Sequence, residues 1–355
     1  MRAIVVSVAL GAALVAAYLL VVRGGVAPPR ATSARTAPAV PAPTSGPEAR
    51  GRAEPGTGAS RPIAPPRQTT TIGFGDGPLA LGRRRDPETA AVGPSAISVG
   101  RSGEVLINDP VHGRLLRLDA KGKPIGTIKL PSQTVDDLLA LPDGSVAALD
   151  RLGEKTVWRV NSDGKTLGEF AVEGSGLREA ASATGVFADP DGGLFVEVGH
   201  KSLVRVDGPS GERQTLPGRP RRDGGIYLRG AIADRKAGIV RLEALLRDGV
   251  SAWAVNLPYG APVLRIVLLD SDRAGNAYVG ATVGLEAASP PYAIVEEKLV
   301  IIAVDPAGTP RGTLTLPGRG ATEETFRELS VGDDGTLYRM VTSDEGVRVE
   351  TYRID

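Results

Sequence analysis

One short phrase recurs along the chain: an apolar strand-forming run, a polar turn ending in glycine, then a second apolar run. It reads "AISVGRSGEVLIND" at 96–109, "LLALPDGSVAALD" at 138–150, "VFADPDGGLFVEV" at 186–198 and "LSVGDDGTLYRMV" at 329–341. A second phrase keeps step with it. "LLRLD" ends at Asp119, "VWRVN" at Asn161, "LVRVD" at Asp207, "AWAVN" at Asn256, "IIAVD" at Asp305 and "TYRID" at Asp355, about 42 to 50 residues apart. Self-similarity at that period marks stacked supersecondary units, not one continuous sheet. The Asp or Asn that ends each copy suits the first position of a turn, where its side chain can bond the backbone two residues on.

The turns that follow agree with this reading: "DAKGKP", "NSDGKT", "DGPSGE", "NLPYGA" and "DPAGTP" each lead into a further strand. Every unit therefore has four strands, the blade of a β-propeller. The first and second strands of the six units are expected to meet at Gly103, Gly144, Gly192, Gly238, Gly275 and Gly335. The fourth unit, "GAIADRKAGIVRLEALL", carries the weakest pattern and could be partly helical. The sixth stops one strand short. The β-branched run "TTTIGF" at 69–74, just upstream of the first unit, is the expected replacement, pairing with 349–355. Such an exchange closes the ring and removes an open sheet edge. The expected fold is all-β, a six-bladed propeller over 69–355.

The runs "PDGSVAALD" and "NDPVHGRLLRLDAKGKPIG" resemble the six-bladed propellers of the NHL-repeat and TolB-like kind. That resemblance implies a rigid ring whose function is carried by its loops and its central channel, and it does not choose between binding and catalysis.

Upstream of the ring the character changes. Residues 4–22, "IVVSVALGAALVAAYLLVV", contain no charged side chain. As a helix this run would reach roughly 28 Å, enough for a bilayer core. Residues 1–23 are expected to form an uncleaved transmembrane signal anchor, with a removed signal peptide as the alternative. The run is long for a secretory apolar region, and Pro28 disfavours cleavage after Ala27. Residues 24–68 hold ten prolines and almost no large apolar side chain, so they are expected to be a disordered tether. A proline-helix ligand for another protein is the second reading of that segment. The ring is placed on the exported side, periplasmic or extracellular.

Charge argues against nucleic acid. The chain totals +1, but the first 68 residues carry +6, which leaves −5 on the ring. Cysteine is absent, so disulfides, thiolate metal sites and thiol nucleophiles are excluded.

Any chemistry would sit in the loops. Hydrolases on six-bladed rings that resemble the gluconolactonase group need carboxylates around one divalent cation. Asp136, Asp137 and Glu328, at the starts of innermost strands, are the oxygens available. The first unit offers no matching acid at the corresponding place. The two histidines, His112 in "PVHGR" and His200 in "VGHKS", fall in hairpins of different units and are too few for a zinc site. The serines of "GPSAI" and "GPSGE" lack a nucleophile elbow. The basic run "GRPRRDGG" is expected to be a solvated loop.

The reading that results is a membrane-tethered, exported binding or scaffold module without a cofactor. Its alternative is a metal-dependent hydrolase or lactonase using a single divalent cation. A protein or envelope polymer is expected to dock on the face built from inter-blade loops and second-to-third-strand hairpins. Arg219, Arg221, Arg222 and Arg319 are the candidate anion contacts and Tyr292 a stacking surface. Carboxylates converging on the channel would favour the hydrolase; a bare or apolar channel would favour binding.

Overall fold

The computed structural model describes residues 63–85, 88, 91–199, 201–208, 213–290, 293–318 and 324–354. The expected anchor at 4–22 and nearly all of the tether lie outside them. Among the described residues there is no α-helix, and none long and apolar enough to cross a membrane. Their one helical element is a three-residue 3-10 turn, Ala180–Ser182.

Among the described residues, twenty-four strands form six four-stranded antiparallel sheets. The chain's first strand, β1 (Gln68–Ile72), belongs to the last sheet. Blade 1 is β2 (Ile97–Val99), β3 (Val105–Asp109), β4 (Arg114–Leu118) and β5 (Pro124–Lys129). Blade 2 is β6 (Asp137–Ala140), β7 (Val146–Asp150), β8 (Thr156–Val160) and β9 (Thr166–Ala171). Blade 3 is β10 (Ala183–Ala188), β11 (Leu194–Val198), β12 (Ser202–Arg205) and β13 (Thr215–Leu216). Blade 4 is β14 (Arg219–Pro220), β15 (Tyr227–Asp234), β16 (Ile239–Leu245) and β17 (Ser251–Pro258). Blade 5 is β18 (Val263–Ser271), β19 (Ala277–Glu286), β20 (Ile294–Val304) and β21 (Pro310–Pro317). Blade 6 is β22 (Leu329–Val331), β23 (Leu337–Thr342), β24 (Val347–Tyr352) and, outermost, β1.

The core shows that the blades form a ring. Each of six apolar clusters fills one seam between neighbouring blades. Leu115 meets Leu138 and Trp158 between blades 1 and 2, and Leu149 meets Val186 and Leu194 between blades 2 and 3. Phe195 meets Tyr227, Val240 meets Val279, and Ile301 meets Leu329 at the next three seams. Ile72, Ile97, Leu116 and Met340 close the circle between blades 6 and 1. Burying each such side chain is worth about 1.5–3 kcal/mol, so every seam is a cohesive joint.

β1 completes blade 6 as the sequence expects. It pairs antiparallel with β24, Gln68 opposite Thr351 and Ile72 opposite Val347. A repeated packing device supports the same conclusion. Turn glycines with positive φ press against the outer strand of the preceding blade, where a Cβ would have little or no room: Gly164 on the Lys129 backbone, and Gly308 on the Trp253 ring. Gly122 does the same to Thr70, so β1 fills the place an ordinary fourth strand fills elsewhere. Residues just before β1, read from sequence as tether, already bond the ring. Ala64 N–H donates to Thr315 O at 3.1 Å and Arg67 N–H to Thr351 O at 2.8 Å.

The turn chemistry also holds. Asp119 Oδ1 accepts the Lys121 and Lys123 amides, Asn161 Oδ1 those of Asp163 and Lys165, and Asp305 Oδ1 those of Ala307 and Thr309.

Blade 4 departs from the expected register. Its helical option is wrong, since β15 and β16 form a long hairpin. "AWAVN" lies in the outermost strand, β17, not in a third strand. Gly238 accordingly sits between the second and third strands. The cause is β14: two residues, one of them proline, show no apolar alternation to be read.

Candidate functional site

A propeller offers two faces and a channel. The first strand of each blade starts on the face fed by inter-blade loops, and the second-to-third hairpins return to that face. The opposite face carries the first-to-second and third-to-fourth turns.

The channel is divided. On the loop face a cleft of about 260 Å³ is lined by Arg151, Thr184, Arg219, Arg265, Phe326 and Arg327, among others. On the turn face a cavity of about 150 Å³ is lined by Arg101, Arg221, Arg222, Arg273 and Asp333, among others. Phe187, Asp270 and Arg327 line both, so they form the partition. The guanidinium carbons of Arg219 and Arg327 lie 4.4 and 5.1 Å from the centre of the Phe187 ring. Such cation–π contacts gain strength where water is excluded.

Each partition arginine is held by a buried carboxylate. Glu197, 1% exposed, accepts from Arg219 Nε at 2.6 Å and Nη2 at 2.8 Å, and from the Thr184 hydroxyl at 2.7 Å. Arg219 Nη1 donates to Leu269 O. Asp137, fully buried, accepts from Arg327 Nη2 and from the Val186 amide at 2.9 Å. Burial pulls the Arg219 pKa down, but the carboxylates of Glu197, Asp270 and Asp137 more than offset it, leaving it above the ordinary arginine value. The charge is fixed, and so is the geometry.

The candidate arginines from sequence separate. Arg219 is in β14 and points its guanidinium into the partition. Arg221 and Arg222 are not on the loop face, because the segment after β14 is the first-to-second turn. Nor is the run a solvated loop. Arg221, buried, forks onto Asp223 at 2.6 and 2.7 Å and donates to Pro306 O. Arg222 bridges Asp270 and Asp333, at 3.1 and 3.0 Å. Arg319 and Tyr292 lie outside the described residues, as does His200. His112 occupies a β3–β4 turn, its Nδ1 2.7 Å from Asp109 Oδ2, which also accepts from Arg114.

The three carboxylates of the cation reading each face arginine. Asp136 Oδ2 accepts the Arg151 amide at 3.0 Å, and burial pushes its carboxyl up while Arg151 pulls it back in part. Asp137 faces Arg327, and Glu328 lies 3.9 Å from Arg339. Among the described residues, no group of three or more His, Cys, Asp or Glu side chains could hold an ion. Carboxylates do converge on the channel, but each has a guanidinium within 4 Å that would repel a cation, and the one orphaned oxygen, Asp137 Oδ1, stands alone. The donor set does not fit a resident divalent metal.

Sequence reading missed Arg327, Glu197, Phe187, Arg151 and Arg265. Glu197 left a signal: an acid inside the apolar run "LFVEV" needs a buried cation as partner.

No family model matches the chain, and no curated protein matches it. Among solved structures, a member of the DUF4221 family from Bacteroides vulgatus aligns with TM-score 0.47 at 10% identity, covering 81% of this chain and 97% of that one. BamB from Moraxella catarrhalis aligns with TM-score 0.40 at 12% identity, covering 81% and 99%. A streptogramin B lyase aligns with TM-score 0.41 at 10% identity, covering 81% and 98%.

Proposed function

We propose that the chain is a membrane-tethered, exported propeller of the NHL-repeat or TolB-like kind, which binds a protein or envelope polymer on its inter-blade-loop face. In this reading residues 1–23 anchor it, 24–68 space it from the bilayer, and 69–355 form the ring. One observation carries the binding half: the channel is closed at its centre by an arginine–carboxylate partition, and a cleft remains open on the loop face. The buried carboxylates at that partition are engaged by guanidiniums, Glu197 by Arg219 and Asp137 by Arg327. A rigid scaffold with a shallow receiving cleft suits recognition better than bond chemistry.

The loop face also carries the longer connections. The segment 172–182 links β9 to β10, and 287–293 links β19 to β20, whereas turns such as 119–123 and 161–165 are short and bonded to themselves.

The test compares two variants of the full chain in capture from envelope extracts. One replaces 287–293 by a short Gly-Ser turn; the other replaces Lys121 and Lys165 by serine. Loss of a partner only with the first is expected. Loss only with the second would place the partner on the other face. For the tether, a mature N-terminus beyond residue 23, or protease protection of the ring in intact spheroplasts, would overturn the anchored and exported arrangement.

A further inference from the structure

We infer that the loop-face cleft receives the C-terminal carboxylate of a polypeptide whose last side chain is apolar. This rests on the loop face being the docking face, and it names what enters there.

The first argument is a charge left over. Arg219 and Arg327 are each matched by a buried carboxylate, but Arg265 makes no hydrogen bond or ion pair to any described residue. Arg151 is only half engaged. It donates to Ala181 O at 3.3 Å, and its buried Nε sits 3.5 Å from Asp136 Oδ1 without a hydrogen bond. Its guanidinium lies over the Phe326 ring at 4.9 Å, which holds it in place.

The second argument is backbone irregularity in the strands that line the cleft. β18 shifts register between Val263 and Arg265 and again between Ile266 and Leu268. β10 shifts between Ala183 and Gly185, at Thr184. The innermost pairings of blades 1, 2, 4 and 6 show no such shift. A bulge re-aims a side chain at a cost in sheet pairing, and here the bulges fall beside Arg265 and Thr184.

The ligand class follows from the lining. One surplus guanidinium and a half-engaged second suit a single negative charge. Asp270 and Glu328 also line the cleft and would repel a doubly charged phosphate. Ile266 and Phe326 provide an apolar wall beside Arg265, so the carboxylate should carry an apolar neighbour. The partition at Phe187 makes the cleft blind-ended, which admits a chain end more readily than a chain passing through. An arginine–carboxylate contact there is charge-assisted and directional.

The turn-face cavity supplies the control. Arg101 lines it, is exposed, and also makes no described contact, but it sits on a surface turn in a cavity also lined by Asp189 and Asp333.

The experiment titrates the full-length chain in detergent micelles, by calorimetry, with N-acetyl-Ala-Ala-Leu as free acid, the same peptide as C-terminal amide, and inorganic phosphate. The free acid is expected to bind at least ~10-fold more tightly than the amide, the scale of one charge-assisted hydrogen bond. Arg265→Ala should lose about the same factor, Arg265→Lys should restore part of it, and Arg101→Ala should change nothing. Arg265 is exposed, so unchanged melting of its variants checks that the fold survives. Equal affinity for acid and amide, indifference to Arg265→Ala, preference for phosphate, or no binding of either peptide would each overturn the inference. If envelope capture still depends on 287–293 in that event, the docking reading stands and only the carboxylate falls. If capture depends on the turn face, the docking reading fails on its own.

Discussion

The two ends of the central channel are built from the same residue types and differ in how their charges are settled. At the turn end Arg221, Arg222 and Arg273 are each tied to Asp223, Asp270 or Asp333 at 2.6 to 3.1 Å, and only Arg101, on an exposed surface turn, lacks a partner among the described residues. At the loop end Arg265 has no such partner and Arg151 shares Asp136 imperfectly. Charge alone therefore does not mark a site. A neutralised arginine is a joint in the ring, and an unmatched one beside a strand irregularity is available to a ligand.

The largest effect is expected from a lesion that spares neither end. Deleting 69–75 removes β1, opens the edge of β24 and uncovers Ile97 and Leu116 at the seam. Cooperative thermal unfolding should be lost or shifted far more than on deleting 24–60. Equal melting temperatures for the two truncations would break the closure argument.

Next comes the partition. Arg327→Met leaves Asp137 buried and without its cation, and should cost about 3–5 kcal/mol in urea unfolding. Adding Asp137→Leu should recover much of it, because an apolar pair removes the desolvation cost on both sides. A negligible loss in the single variant would mean that the partition does not hold the ring.

A smaller loss, about 1–3 kcal/mol, is expected for Arg222→Met at the turn end, where two carboxylates lose a shared donor. Arg222 is three-quarters buried at its side chain, and Asp270 and Asp333 keep other donors. A cost larger than that of Arg327→Met would reverse the ranking of the two joints.

Acid should sharpen the contrast further. The Ser145 hydroxyl, against a small burial penalty and with help from the Ser145 amide and Arg159, holds the Asp143 carboxyl down at about 2, below its ordinary 3.8. A depressed carboxylate stabilises the fold above its unfolded value and loses that contribution as pH falls toward the folded one. Asp143→Asn should therefore narrow the stability gap between pH 5 and pH 2, modestly because Asp143 is half exposed. At the loop end Asp136 has the opposite sign: its raised pKa eases folding as pH drops. Smallest of all, Arg265→Ala should leave stability within about 0.5 kcal/mol while it alters peptide binding. A larger loss would mean that Arg265 is a joint after all.

What the sequence by itself determined is local. Blade count, the Asp–Gly turns and the exchanged strand were legible because a turn is fixed by hydrogen bonds within a few residues, and strand alternation by a period of two. The run at 69–74 could be placed because only one blade lacked a strand. Blade 4 was misread where that local code thins out, at a two-residue strand containing Pro220. Tertiary structure alone decided the site. Asp137 and Arg327 are far apart in the chain and meet only when six blades close, and Glu197 meets Arg219 only when blades 3 and 4 pack together. No neighbouring residue in sequence says whether an arginine will find a carboxylate there. Desolvation at the centre of the ring forces every charge to be matched, and at the loop-face mouth, where water still reaches Arg265, it does not.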